Sequence, residues 1–333
     1  VKHYTNWFRR ILPTPFSIAL LITIVVFFMA LINSDKPLVN LVLDWQKGLW
    51  NSNLLAFALQ MMLMLVLGHS LALTTFFNSL INQIIKRLQT GTQAAFAVTL
   101  TTILVALFNW GLGLIFGAII ARKVGENFTD RKIKLNYPLI GASGYVGLMV
   151  WHGGISGSAL TKVAEVGHIR DITKNQLMPE LISFSDTVFS PMNLTAVILL
   201  IIAVPILSSV ISRNTTKEIP NVIKHEQTAE KQSKIIGAEH IDNSRWISKI
   251  IGVILTLIAF YIAISAQNKS GFINPNYINF SLLGLNILLH TNIRSFLSAV
   301  DKAIQGASGI LIQFPLYFGI LALMQSSGLI ENK

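Results

Sequence analysis

Apolar residues along this chain are gathered into long blocks separated by short polar links. Uncharged stretches cover 15–34, 48–85, 88–121, 135–161, 187–212, 250–268, 270–293 and 303–330. Each contains a run near or above the ~18 residues that mark a candidate membrane helix. The pattern predicts an all-α polytopic membrane protein.

Two blocks are interrupted from within. One reads Phe108-Asn109-Trp110-Gly111-Leu112-Gly113 at its middle. The other, Tyr137 to Thr161, has no Asp, Glu, Lys or Arg, yet contains Trp151-His152-Gly153-Gly154-Ile155-Ser156-Gly157-Ser158. Glycine and serine weaken a helix where the bilayer leaves backbone groups no water. Opened backbone at membrane depth is tolerated only where protein buries it or it lines a cavity, and transporters bind substrates that way. The breaks therefore point to a carrier.

Charge decides how the blocks are threaded. If every block crosses once from a cytoplasmic N-terminus, Arg122, Lys123, Arg131, Lys132 and Lys134 fall outside, against the positive-inside tendency. The conflict disappears if Gln93 to Ile120 is a re-entrant hairpin turning at Asn109–Gly113. Each half is then ~14 residues, or ~21 Å, too short to cross a ~30 Å core. A single long, tilted helix is the alternative. With the hairpin, 19 basic residues lie inside and 6 outside, Lys333 being unassigned. About seven transmembrane helices plus the hairpin result. They include Tyr137 onward, Thr187 to Ser212 with a kink expected at Pro205, Ile250 to Ala266, Gly271 to Ile293, and Ala303 to Ile330 interrupted at Pro315. Residues 1–333 read as one transporter domain, with 213–249 as a polar cytoplasmic loop.

Composition adds exclusions. Charge is 12% against a usual ~25%. The net charge of +11 resides in loop residues that set topology, so no nucleic-acid partner is expected. Without cysteine there is no disulfide or thiolate site. The first block follows Arg9 and Arg10 and has no Ala-X-Ala site before Asp35, so it reads as a retained span and not a signal peptide. Gly154-Ile-Ser156-Gly-Ser158 is not a nucleophile elbow, and neither phosphate-loop nor metal-ligand spacing occurs. No enzyme is expected and no metal site.

The chemistry is expected at the breaks. Gly153, Gly154 and Gly157 would let backbone N–H groups approach a carboxylate, with Ser156 and Ser158 donating hydrogen bonds. Asn109, Gly111 and Gly113 would form the facing break, and Gln60 a polar partner across the cavity. Close helix packing is the competing explanation for so many small residues. His152 and His69 are candidates for proton relay or substrate contact, and His290 reads as a neutral, hydrogen-bonded histidine. A catalytic role for His152, as in an acyltransferase or accessory subunit, would need an acidic partner among Glu165, Asp171 and Asp186.

Taken in order, further motifs join these: Leu12-Pro-X-Pro-Phe16, Trp45 with Gly48-Leu49-Trp50, and Leu67-Gly68-His69. Then come Asp186-Thr187-Val188-Phe189-Ser190 and Gly309-Ile310-Leu311-Ile312-Gln313-Phe314-Pro315-Leu316-Tyr317. With the two breaks, the chain resembles the short-chain fatty acid transporter family of the bacterial acetoacetate/butyrate type. The resemblance implies a secondary carrier of short-chain carboxylates in the bacterial inner membrane, with an ion-transporter-like inverted-repeat fold. It implies no cofactor beyond a co-transported H+ or Na+, and the partners are the carboxylate substrate, the lipid bilayer and, left open, a second copy of the chain. Family members continue into a second glycine-rich break. Gln60 precedes the first break by 49 residues, and a similar distance from Gln313 reaches beyond Lys333. The chain is therefore expected to be C-terminally truncated relative to the family, and a non-functional truncated carrier is a further alternative.

Overall fold

The computed structural model describes residues 12–173, 175–215, 218–220, 222, 237–266 and 272–330. The regular elements among them are helical, and the pairing of Leu135 with Glu218 is an isolated β-bridge. In order they are α1 (Pro15–Asn33), α2 (Leu38–Leu49), α3 (Ser52–Ala72), α4 (Thr75–Lys86), α5 (Gly91–Phe108), α6 (Trp110–Asp130) and α7 (Tyr137–Tyr145). After two 3₁₀ turns, Val146–Met149 and Trp151–Gly153, come α8 (Ser158–Val163), α9 (His168–Thr173) and α10 (Pro191–Asn214). Then follow α11 (Glu239–Asn243), α12 (Arg245–Ser265), α13 (Pro275–Leu289) and α14 (Ile293–Ser326).

Helix starts follow local chemistry. The side chains of Thr14, Thr90, Asn136, Ser190, Ser244 and Asn274 each accept a hydrogen bond from the first turn of the helix that follows. Proline in the first turn of α1, α7, α10 and α13 lends a preset φ where no N–H is needed.

Among the described residues, α1, α3, α5, α10, α12 and α14 are long and apolar enough to cross a membrane. Their outward residues stay exposed, as Ile24, Val25 and Phe28 do on α1 and Leu257, Phe260 and Tyr261 on α12. Apolar surface this continuous needs hydrocarbon around it, so the protein is a multi-pass membrane protein.

The count among the described residues is six and not about seven, because two expected spans fall short while α5, expected as half of the hairpin, is long enough. The 135–161 block is broken, and the 270–293 block yields only the 15 residues of α13, ~22 Å long. The expected interruption at Pro315 is absent. α14 begins at Ile293 and runs through that proline, as α10 runs through Pro205. Of the 213–249 loop, residues 216, 217, 221 and 223–236 lie outside the described set.

The chain forms two compact units, residues 1–62 with 304–333, and residues 63–303. In the first, Ala30, Leu41 and Leu323 form a buried core with Trp45 packed against it. A Cβ on Gly48 would meet the Phe318 carbonyl at 2.8 Å, and Asn33 donates to the Ser327 carbonyl (3.0 Å).

The second unit is built on the α5–α6 hairpin. Its arms run antiparallel in one register. A Cβ on Gly113 would lie 2.5 Å from Ala106 Cα, and one on Gly117 would lie 2.9 Å from Thr102 Cγ2. At the base, Arg131 donates to the Leu88 carbonyl (2.7 Å). A hairpin turning at Asn109 is therefore present and brings Lys86-Arg87 and Arg131-Lys132 to the same end, but α5 is long enough to cross a membrane, unlike the short re-entrant arm expected. Its arms have 18 and 21 residues, longer than the expected ~14 because α5 begins before Gln93 and α6 continues past Ile120 to Asp130.

α7 lies alongside α5 and crosses α6, its Gly144 facing Gly117 backbone to backbone. α10 returns from tip to base along α5, where Thr99 donates to Ser208 (3.0 Å). A double-mutant cycle of Thr99→Val and Ser208→Ala, followed by thermal unfolding in detergent, should give a coupling of about 0.6 kcal/mol. That is the usual worth of such a bond between membrane helices. α12 and α13 form another antiparallel pair, Ser248 donating to the Ile287 carbonyl (2.8 Å).

Candidate functional site at two crossed helix breaks

One residue turns the hairpin. Asn109 is extended (φ −149, ψ 124) between two helical neighbours. Its N–H donates to the Val105 carbonyl (3.0 Å) and its own carbonyl accepts from Gly113 (2.8 Å). Its Oδ1 accepts from the Leu112 N–H (2.8 Å), so the same side chain caps α6.

The second break lies against this tip. Gly154 is extended (ψ 179), and the Ile155 N–H donates to the Leu107 carbonyl (2.9 Å). Ser156, fully buried, accepts from the Trp110 N–H through its hydroxyl oxygen (2.9 Å). The Trp110 and Trp151 rings are 5.4 Å apart. Asn193, in the first turn of α10, donates to the carbonyls of Gly153 (2.9 Å) and Val188 (2.8 Å). Each break thus supplies partners that the other lacks.

Glycines make this approach possible. A Cβ on Gly154 would fall on the Leu107 carbonyl, and one on Gly157 would lie 2.6 Å from the His152 carbonyl. A Cβ on Gly111 would meet Leu65 Cα at 2.8 Å, and one on Gly68 would fall on Asn109 Oδ1. Both packing and a site therefore use the same small residues.

The N–H groups of Gly153, Gly154 and Gly157, the expected cradle, are taken by the carbonyls of Val150, Trp151 and Gly154, and those of Trp110, Leu112 and Gly113 at the facing break are bonded too. Side-chain donors are left over. Asn109 Nδ2 and Trp110 Nε1 are buried and have no hydrogen-bond partner among the described residues. An unpaired buried polar group costs ~1–3 kcal/mol, which a ligand acceptor would recover.

The remaining expected residues are placed as follows. Ser158 is half-buried at the start of α8, where its carbonyl accepts from the Thr161 hydroxyl (3.1 Å). His152 is exposed, its ring 3.8 Å from that of Trp151. Of the acids beyond it, Glu165 pairs with Lys162, and Asp186 accepts from Ser183 (2.7 Å). His69 is half-buried on α3 beside Gly68. Gln60 is half-buried on α3 within the first unit. At the start of α9, burial and then the charge of Lys162 hold His168 below the usual histidine range.

Two contributors, Asn286 and Asn193, escaped the sequence reading, whereas His290 is hydrogen-bonded as expected. Asn286 of α13 is fully buried, and its Nδ2 donates to the Leu67 carbonyl (2.9 Å) and the Leu282 carbonyl (2.8 Å). His290 meets the Ser70 hydroxyl (3.2 Å) and fastens α13 to α3 at a second point. Asn279 and Asn286, seven apart in an apolar block, were the available signal. Asn193 was readable as the third residue after the Ser190 cap.

Comparison with known proteins agrees with this architecture. Residues 2–332 match the family described as Short chain fatty acid transporter. A protein of Escherichia coli (strain K12), named "Putative short-chain fatty acid transporter", is 31% identical over 98% of this chain and 72% of its own length. One of the same name from Haemophilus influenzae (strain ATCC 51907 / DSM 11121 / KW20 / Rd) is 31% identical over 98% of this chain and 73% of its own. No solved structure matches. The chain belongs to the short-chain fatty acid transporter family.

Proposed function

We propose that the protein carries short-chain carboxylic acids such as butyrate and acetoacetate across the bacterial inner membrane, its N-terminus cytoplasmic, coupled to a proton or sodium ion. The crossed breaks are the binding site. The observation that supports this most is the pair of adjacent buried donors, Asn109 Nδ2 and Trp110 Nε1, at the point where two interrupted helices meet. A carboxyl group supplies the acceptors they lack. Opened backbone at this point is held by protein, the condition under which a bilayer tolerates it.

The test is uptake of labelled butyrate by proteoliposomes, with protein-free liposomes subtracted for passive permeation. Saturable uptake under an imposed proton or sodium gradient is expected, and none under either would refute carriage. Trp110→Phe keeps an aromatic ring against Trp151 but deletes the indole donor. Its KM should rise roughly fivefold, the equivalent of about 1 kcal/mol for one hydrogen bond. An unchanged KM would remove Trp110 from the site.

A further inference from the structure

Three polar atoms around the hairpin tip remain unsatisfied, and they differ in kind. Asn109 Nδ2 and Trp110 Nε1 are donors, whereas Asn286 Oδ1 is an acceptor, likewise buried and without a partner among the described residues. The orientation of each amide is fixed by its other bonds. Asn109 must present oxygen to the Leu112 N–H, and Asn286 must present nitrogen to two carbonyls. Both carboxamides lie against consecutive residues of α3. Asn286 bonds the Leu67 carbonyl, and Asn109 Oδ1 lies where a Cβ of Gly68 would be.

We propose that this site takes the short-chain acid in its protonated, neutral form, so that the transported proton rides on the substrate's own carboxyl group. The inference rests on the breaks being the substrate site. A carboxylate is acceptor-only, and Asn286 Oδ1 would face it with a second negative dipole. A carboxylic acid matches all three atoms, its carbonyl accepting from Asn109 or Trp110 while its hydroxyl donates to Asn286. The neutral form also avoids burying an unpaired anion, which costs far more than burying a hydrogen-bonded neutral group. No bond is made or broken at the site. The proton joins the carboxylate in water on one side and ionises into water on the other.

Among the described residues no acid near the tip is placed to do this work. The titratable groups nearest it are His69 on α3, exposed His152 beside Trp151, and His290 against Ser70; Arg122, Lys123, Glu126 and Asp130 of α6 lie toward the base, and α7 and α13 add Tyr137, Tyr145 and Tyr277. Beyond α8, Lys162 and Glu165 pair with each other. With a substrate pKa near the side-chain carboxyl value of about 4, roughly one molecule in a thousand is protonated at pH 7. Selection of that form therefore has a steep signature.

The experiment is equilibrium binding of labelled butyrate to the purified protein in lipid nanodiscs, from pH 5 to pH 8, in sodium-free and sodium-containing buffer. Two competitors are used. Butyramide is neutral and repeats the acceptor–donor pattern of the acid, and propanesulfonate is anionic at every pH. The apparent Kd for total butyrate should rise about tenfold per pH unit, with no effect of sodium. Butyramide should compete with an affinity that changes less than threefold across the range, which also measures what the histidines contribute. Propanesulfonate should not compete. A pH-independent Kd, or propanesulfonate competing as well as butyrate, would overturn the inference while leaving a carboxylate site. Absence of saturable butyrate binding at any pH would overturn the site itself, and the inference with it. No variant is needed, so misfolding cannot confuse the result.

Discussion

Leucine at Gly117 is expected to leave no folded protein in the membrane. A Cβ there would fall on the Gly144 carbonyl, and one on Gly144 would fall on the Gly117 carbonyl. Neither obstacle is the end of a flexible side chain. Overfilling an ordinary core costs ~1–3 kcal/mol because side chains shift. Here α6 and α7 would have to separate, taking with them the Gly147 contact to Thr102, where a Cβ would lie 3.0 Å from the threonine carbonyl. Against a total stability of ~5–15 kcal/mol, that loss removes the native state. Gly141→Leu is the matched control, since nothing lies within 4 Å of a Cβ at that exposed position on α7. Size-exclusion profiles of detergent-extracted protein should show a monodisperse peak for Gly141→Leu and none for Gly117→Leu. A normal peak for the latter would mean that the helices do not cross at these glycines.

The second large effect is on transport. Asn109→Asp keeps an oxygen for the Leu112 N–H, and aspartate caps helices as well as asparagine does, so folding should survive. The substitution deletes the Nδ2 donor and turns a second oxygen toward the substrate carboxyl. Uptake efficiency at pH 7.5 should fall roughly a hundredfold, the equivalent of about 3 kcal/mol for a polar contact turned repulsive. Acidification should restore part of it relative to wild type. Once the new carboxyl takes a proton it becomes a donor again. Thermal unfolding of the purified variant checks that the cap holds, and uptake equal to wild type at pH 7.5 would exclude Asn109 from substrate contact.

The sequence was most informative where local chemistry decides the outcome. The apolar blocks located α1 and α7 at their observed starts and α10 and α13 within four residues of theirs, and the excess of basic residues between 122 and 134 pointed to a chain reversal near Asn109. Both breaks were visible as glycine and serine in apolar runs. What could not be read was that the breaks meet. That depends on the register of α7 along α5, which is fixed by contacts between residues some 45 positions apart, such as Gly147 with Thr102. For the same reason the reading of Ser156 as a donor missed that its oxygen also accepts from the Trp110 N–H and ties the two breaks together. Asn286 was invisible as a participant because its partner, the Leu67 carbonyl, is a backbone group 219 residues away. Proline misled once, at Pro315, which removes a hydrogen bond without ending its helix.

The single-residue turn at Asn109 also bears on biosynthesis. A helical pair joined by a polar loop must drag that loop through hydrocarbon, whereas this pair has at its tip one asparagine whose N–H, carbonyl and Oδ1 are already bonded within the hairpin. The base, by contrast, carries Lys86, Arg87, Arg131 and Lys132 and stays in water on whichever side it is made. The pair is therefore suited to leave the translocon as a preassembled wedge. The lateral gate would release both arms together, and Trp110 would meet Ser156 only after the next fifty residues had been synthesised.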